Sequence, residues 1–424
     1  MKKAVITILG IQGAGYTDEG EAYVKDYKHQ ALYYFENQSN APKAYYNTLP
    51  LLIKTYAKEY QVIPIYTQEA KTFNQEVLSY ENIECTFDDT LGLIQDEKDY
   101  FKIFSQIDKT INQFDSVIID LTHGFRHLPI LTIIDIVIQN FKSKTHIEKI
   151  LFAKEIIKHT PQEVGEYEIV DLNKYLEIAN LSFVIANFKD NYTISSNINT
   201  KQEEYKELID AMRTFSRDIL GLSMQHFYSS SLPRLYQAID AISDSSILKN
   251  DLEIVKKHLE VFNFQNLKRY EIYFNTAKEL LKKEYLLQSI NLLHEAKQFY
   301  LKSAIKSQNK ETHRIITDVE QKIETYNNNK FNNYKLLQDC LSIFFQKEPK
   351  NLSLFNDQEA KILKQYTLFN YQFKNFLQDD LRNNLAHANN SDNIDNVKKE
   401  IDKNIQNFEK LCIDNNVLNL KKAI

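Results

Sequence analysis

The chain has 424 residues, too many for one ordinary hydrophobic core, so two or three domains are expected. With 43% hydrophobic and 26% charged residues it has the mix of a globular protein in water, and apolar runs such as Val117–Ile119 and Ile130–Ile138 break well before membrane-spanning length. A net charge of −5 excludes wholesale electrostatic attraction to nucleic acid, so any RNA contact has to be local.

Met1-Lys2-Lys3 and the apolar run into Gly10 have the outline of a secretion signal. Gln12, Asp18, Glu19 and Glu21 follow with no small-residue cleavage site, so Ala4–Leu9 reads as a first β-strand. Further strand candidates are Gln61–Thr67, Asn82–Phe87, Ser116–Leu121, Ile147–Ala153 and Glu166–Asp171. Segments of helical period lie between them, among them Tyr45–Tyr60, Asp96–Gln113 and Leu128–Phe141. Strands separated by helices of that length give βαβ units, a mainly parallel sheet and helices on both faces, hence a Rossmann-like α/β domain over 1–175.

All eight glycines lie at or before Gly221, and only Pro233 and Pro349 interrupt the chain beyond it, which predicts long helices downstream. An all-α portion therefore follows: a helical connector over 176–265, with Ile209, Met212, Phe215, Ile219 and Leu220 as its apolar stripe, and a helical domain over 266–424. Within that domain Tyr270–Ser307 reads as two paired helices turning at Glu284-Tyr285, with Leu286, Ile290, Leu293 and Ala296 on one face. No second copy recurs at a fixed period, which excludes a solenoid. Cys85, Cys340 and Cys412 are scattered singly, against a disulfide framework or a structural zinc site, and point to the cytoplasm.

Chemistry concentrates where the apolar strand Ser116–Leu121 runs into Thr122-His123-Gly124-Phe125-Arg126 and then an apolar helix. Ligands of an open α/β sheet bind outside the carboxyl ends of its strands, and a helix N-terminus there offers unpaired N–H groups to an anion. The loop Gly10-Ile11-Gln12-Gly13-Ala14-Gly15 follows the first strand in the same way, and its glycines permit close backbone approach. It lacks the full GxGxxG spacing, which disfavours a dinucleotide cofactor. Thr122 can donate a hydroxyl and Arg126 a bidentate fork to phosphate. Asp120 is open to two readings, a cap for the turn or a part of the site, and His127 reads as helix surface or cap.

The residues Asp120, Thr122, His123 and Gly124 spell DxTHG, and Arg382-Asn383-Asn384-Leu385-Ala386-His387 spells RxxxxH near the other end. With both in this order the chain resembles the CRISPR-associated DxTHG-motif family, the CARF–HEPN proteins of type III CRISPR antiviral defence. The resemblance implies an N-terminal CARF domain that binds a cyclic oligoadenylate, tetra-adenylate first and hexa-adenylate second, on the two-fold axis of a homodimer. Gly10, Gln12, Gly13, Thr122, His123, Gly124 and Arg126 would be its ligand-binding residues. It implies a C-terminal HEPN endoribonuclease that cleaves single-stranded RNA without a metal, using the adjacent 2′-hydroxyl as nucleophile. His387 would be general acid or base, Arg382 would hold the scissile phosphate, and Asn383 would orient His387 or bind phosphate oxygens. Arg382 and His387 lie about 140° apart around an ideal helix, and the family joins them by pairing two protomers. Asp379 and Asp380 precede the motif as ligands or caps. Three other readings stand beside this one: a non-catalytic cyclic-oligoadenylate-binding regulator, a ring nuclease using Thr122 and His123 on the messenger, and an ordinary Rossmann-type nucleotide enzyme.

Overall fold

Near the N-terminus the strands Lys3–Ile8 (β1) and Ser116–Asp120 (β7) are buried on both faces, and such strands need helices on each side. The computed structural model describes residues 2–11, 14–20, 22–24, 31–36, 43–95, 98–123, 127–142, 145–158, 164–194, 200, 202–242, 246–263, 265–326, 355–364, 380–387 and 393–414. Among these, residues up to Phe183 form one unit and those from Val184 onward a second.

The first unit is a seven-stranded mixed sheet in the order β5-β4-β9-β8-β7-β1-β6. Its other strands are Ala31–Phe35 (β4), Lys43–Tyr45 (β5), Gln61–Ile65 (β6), His146–Ile157 (β8) and Glu166–Asp171 (β9), while Ala14–Tyr16 (β2) and Ala22–Val24 (β3) form a separate hairpin. The run β6-β1-β7-β8 is parallel, β4 is parallel to β9, and the β8–β9 and β4–β5 pairs are antiparallel. Its helices are Thr48–Tyr56 (α1), Gln68–Glu81 (α2), Asp89–Gly92 (α3), Tyr100–Ile111 (α4), His127–Lys142 (α5) and Asn173–Asn191 (α6), the last running across the unit boundary.

Alternation along the strands sorts the core into two layers. Ala4, Ile6 and Ile8 of β1 with Val117 and Ile119 of β7 pack on Ile103, Ile107 and Ile111 of α4 and Ile136 of α5. Val5 and Ile118 face the other way, onto Leu51 and Leu52 of α1. By the same alternation Thr7 and Asp120, opposite each other in the ladder, turn toward α1. Within the parallel run the chain visits β1, then β6 on one side and β7 on the other, so the order reverses between β1 and β7, the crevice where α/β sheets bind ligands.

One strand expectation is corrected. Asn82 ends α2 in the left-handed conformation (φ 52°), and 83–88 continue as irregular chain. Ile83, Cys85 and Phe87 alternate because they pack on the cluster around Tyr66, and no ladder is needed for that. The mixed character of the sheet comes from β4, β5 and β9. β5 has only three residues, and the run Ala-Leu-Tyr-Tyr-Phe of β4 has no polar alternation to mark it as a strand.

The second unit is helical: Glu203–Leu220 (α7), Met224–His226 (α8), a π-helical turn at Phe227–Ser231, Leu232–Asp240 (α9), Lys249–Leu259 (α10), Arg269–Lys282 (α11), Leu286–Lys306 (α12), Lys310–Tyr326 (α13), Asp357–Lys364 (α14), Asp380–Ala386 (α15) and Ile394–Asp414 (α16). The stripe Ile209, Met212, Phe215 and Ile219 of α7 is buried, and Phe215 joins Phe188, Tyr192, Phe227 and Phe262 in a cluster of mostly edge-on rings. Helices α11 and α12 form the hairpin expected from the sequence, turning at Glu284 with φ 66°. Helix α12 packs in addition against α13, α15 and α16, and Tyr270, Phe274, Tyr300 and Phe408 join their rings in its core.

Gly92 tests the packing of α3 on β6. A Cβ there would stand 2.1 Å from the Pro64 carbonyl oxygen, and that backbone cannot yield while β6 pairs with β1. Gly92→Ala is expected to lower stability by about 2 kcal/mol, read as a fall in the urea midpoint at unchanged m-value.

Candidate functional site

Asp120 ends β7 with its carboxylate 1% exposed beneath the N-terminus of α1. A buried carboxylate is tolerated only when its oxygens are satisfied, and four donors do this. Oδ2 accepts from the hydroxyls of Thr7 (2.8 Å) and Thr48 (2.9 Å). Oδ1 accepts from the Thr122 hydroxyl (2.6 Å) and the Thr122 backbone N–H (3.2 Å). The Thr122 hydroxyl in turn accepts from the N–H of Ala153 in β8 at 2.9 Å. Asp120 therefore ties β1, α1 and the turn after β7 together, and Thr122 extends the tie to β8.

The next residue closes the arrangement. His123 Nε2 accepts from the backbone N–H of Thr48 at 3.2 Å, satisfying one of the orphan donors at the start of α1. An accepting Nε2 requires the neutral ring, and burial pushes the His123 pKa below its ordinary value, with Asp120 opposing in part. Before Thr48, Asn47 caps α1 by accepting from Leu49 N–H (3.1 Å) and donates to Asn74 Oδ1 on α2 (2.8 Å). Asn74 Nδ2 then donates to the carbonyl of Gly10 (3.0 Å) and to Ala70 O (2.8 Å). One hydrogen-bonded chain thus links the segments after β1 and after β7 at the carboxyl edge of the sheet.

Of the ligand-binding residues expected from the sequence, Gly10, Thr122 and His123 come together here, while Gln12, Gly13, Gly124 and Arg126 lie outside the described residues. Thr122 spends its hydroxyl proton on Asp120, and His123 spends Nε2 on α1, so both fix the segment directly after β7. Sequence reasoning missed Thr7, Thr48, Asn47 and Asn74. Thr7 and Asp120 become neighbours through the β1–β7 register, and the asparagines are ordinary in sequence.

In the second unit the RxxxxH residues lie on α15 and its last turn, where the His387 N–H donates to Asn383 O at 2.9 Å. Leu381 is buried and Arg382 half-buried, while Asn383 and His387 are exposed. Arg382 Nε donates to Oδ1 of Asn291 on α12 at 2.9 Å. No hydrogen bond joins Arg382 to His387, in keeping with their separation around the helix. Asp379 lies outside the described residues. Among the described residues no group of three or more His, Cys, Asp or Glu side chains is arranged to hold a metal ion, and no helix is long and apolar enough to cross a membrane.

No family model matches the chain, and no curated protein is similar to it. Among solved structures it is similar to "Enterococcus italicus Csm6 bound to cyclic hexa-2'-fluoro-hexa-dAMP", at 11% identity over 97% of this chain and 94% of that one, with a TM-score of 0.34. At that identity and score the likeness says nothing by itself about activity.

Two outcomes test the Asp120 brace. Asp120→Ala leaves three hydroxyls and an N–H without their acceptor, and is expected to cost about 3 kcal/mol in urea unfolding. The second concerns pH. His123 is neutral when folded, with its pKa held below the ordinary 6.5, so below that pH the unfolded chain binds the extra proton and stability falls as pH drops; above it the contribution is complete. His258 in the second unit is shifted the same way, chiefly by burial, so the measurement is a difference. Between pH 7.5 and 5.5 the wild type should lose more stability than His123→Gln, by up to about 1.4 kcal/mol per pH unit.

Proposed function

We propose that the chain is a CARF–HEPN endoribonuclease of type III CRISPR defence, switched on by a cyclic oligoadenylate and cleaving single-stranded RNA without a metal. Residues 1–175 sense the messenger, 176–265 connect, and 266–424 carry the nuclease of a cytoplasmic homodimer. Messenger binding shifts the population toward a competent RNA-cleaving arrangement. His387 moves the proton to or from the 2′-hydroxyl or leaving oxygen, Arg382 holds the scissile phosphate, and Asn383 orients one or the other.

The observation that carries the reading is the location of DxTHG at the β1–β7 switch point, with Asp120, Thr122 and His123 bracing one turn and Asn74 holding Gly10 across from it. Two braced loops at the carboxyl edge of a sheet suit a ligand recognised by backbone groups. Thr122 and His123 act as the frame of that turn, leaving Gly10, Gln12, Gly13, Gly124 and Arg126 to touch the messenger. The same commitments speak against a ring nuclease run by Thr122 and His123, since the hydroxyl proton and Nε2 are already in use.

Cleavage of a fluorescent single-stranded RNA in chelator, with and without cyclic tetra- and hexa-adenylate, tests the reading. Cleavage should require one of the rings and fall at least about 100-fold in His387→Ala with ligand binding intact. Binding of a ring without cleavage would replace the ribonuclease by the regulator.

A further inference from the structure

Arg382 is the one member of the RxxxxH set that the fold already grips. Its Nε donates to Asn291 Oδ1, and the guanidinium has no other hydrogen bond or ion pair among the described residues. Asn291 is well anchored for this: it lies on the 21-residue helix α12 between Ile290 and Leu292, both buried, and α12 packs against α11. A guanidinium has five N–H donors in a fixed plane, so fixing Nε fixes the direction of the four on Nη1 and Nη2. Two of these, one on each Nη, form the end-on fork that takes two oxygens of a phosphate.

The acceptor is an amide, and its chemistry fits the task. A carboxylate at 291 would hold Nε equally well but would cancel the positive charge that a phosphodiester needs. A neutral oxygen aims the cation and leaves its charge unspent.

We propose that Asn291 is a positioning residue for RNA cleavage: it orients the Arg382 guanidinium so that its end-on fork meets the scissile phosphate. This rests on the ribonuclease reading above. Misdirecting a phosphate-holding group by about 1 Å can cost on the order of 100-fold in rate, while weak ground-state binding changes little. Asn291→Ala should therefore lower kcat by roughly 10- to 100-fold, with KM within about 3-fold of wild type. Asn291→Asp keeps the hydrogen bond and adds the opposing charge. It should leave Arg382 ordered while raising KM for RNA.

The experiment uses the full chain with the activating ring, assayed for RNA cleavage, together with the Nε–H signals of the resting protein labelled on its seven arginines. The Arg382 signal, assigned by its loss in Arg382→Lys, should exchange slowly with solvent in wild type and in Asn291→Asp, and at least about 10-fold faster in Asn291→Ala. Wild-type cleavage with an equally active Asn291→Ala, or an exchange rate indifferent to Asn291, overturns the proposal alone. No cleavage by wild type with either ring overturns the ribonuclease reading and takes this role with it. A purely structural Asn291 would lower the melting temperature of Asn291→Ala and leave its kcat per folded molecule unchanged. Should Asn291→Ala fail to fold, the KM effect of Asn291→Asp at a wild-type melting temperature decides the matter.

Discussion

The carboxylate of Asp120 is the point on which the first unit turns. Taking a carboxylate out of water is costly, and three threonines from three parts of the chain offset that cost with hydroxyl and N–H donors. The geometry works in both directions. The donors keep Asp120 buried, and Asp120 holds β1, the start of α1 and the turn after β7 in one arrangement. The Asn47–Asn74–Gly10 path extends the same order to the opposite loop, with both Nδ2 protons of Asn74 in use.

The second unit solves a different problem. In the proposed ribonuclease Arg382 holds phosphate and His387 moves protons, and the two lie about 140° apart around α15. Arg382 donates to Asn291 on α12, while His387 stands in solvent at the end of the helix. The division matches the chemistry. A phosphate-holding cation gains from a fixed direction, and a proton-transfer group needs contact with the reacting atoms, which arrive with the substrate. Around α12 the framework is closely packed: Tyr300 stands edge-on to Tyr270 and Phe408, Phe274 packs tilted on Phe408, and Lys278 pairs with Glu409 between α11 and α16.

Much of this was legible in the residues. Continuous apolar runs at Ala4–Leu9 and Ser116–Leu121 announce strands buried on both faces, because only such strands need no polar side. Glycine thinning after Gly221 announces the helices, and Glu284-Tyr285 marks the α11–α12 turn. Illegible were the short strands β4 and β5, whose pairing depends on partners far along the chain, and the irregular run after Asn82, which alternates without a ladder. Local pattern reports which face of a segment is apolar; it does not report what covers that face.

The sites divide along the same line. Asp120, Thr122 and His123 stand out in sequence as polar residues directly after an apolar strand, and Arg382 and His387 as a spaced pair. By itself, then, the sequence determined the α/β-then-helical order, the residues at the strand end, and the family resemblance they carry. Only the tertiary structure decided that Thr122 and His123 are committed to Asp120 and to the start of α1, that Thr7, Thr48 and Asn74 belong with them, and that Asn291 accepts from Arg382. The reason is physical. A hydrogen bond has a direction and a range of about 3 Å, and residues 91 or 113 positions apart meet at that range only once the sheet register and the helix packing are set.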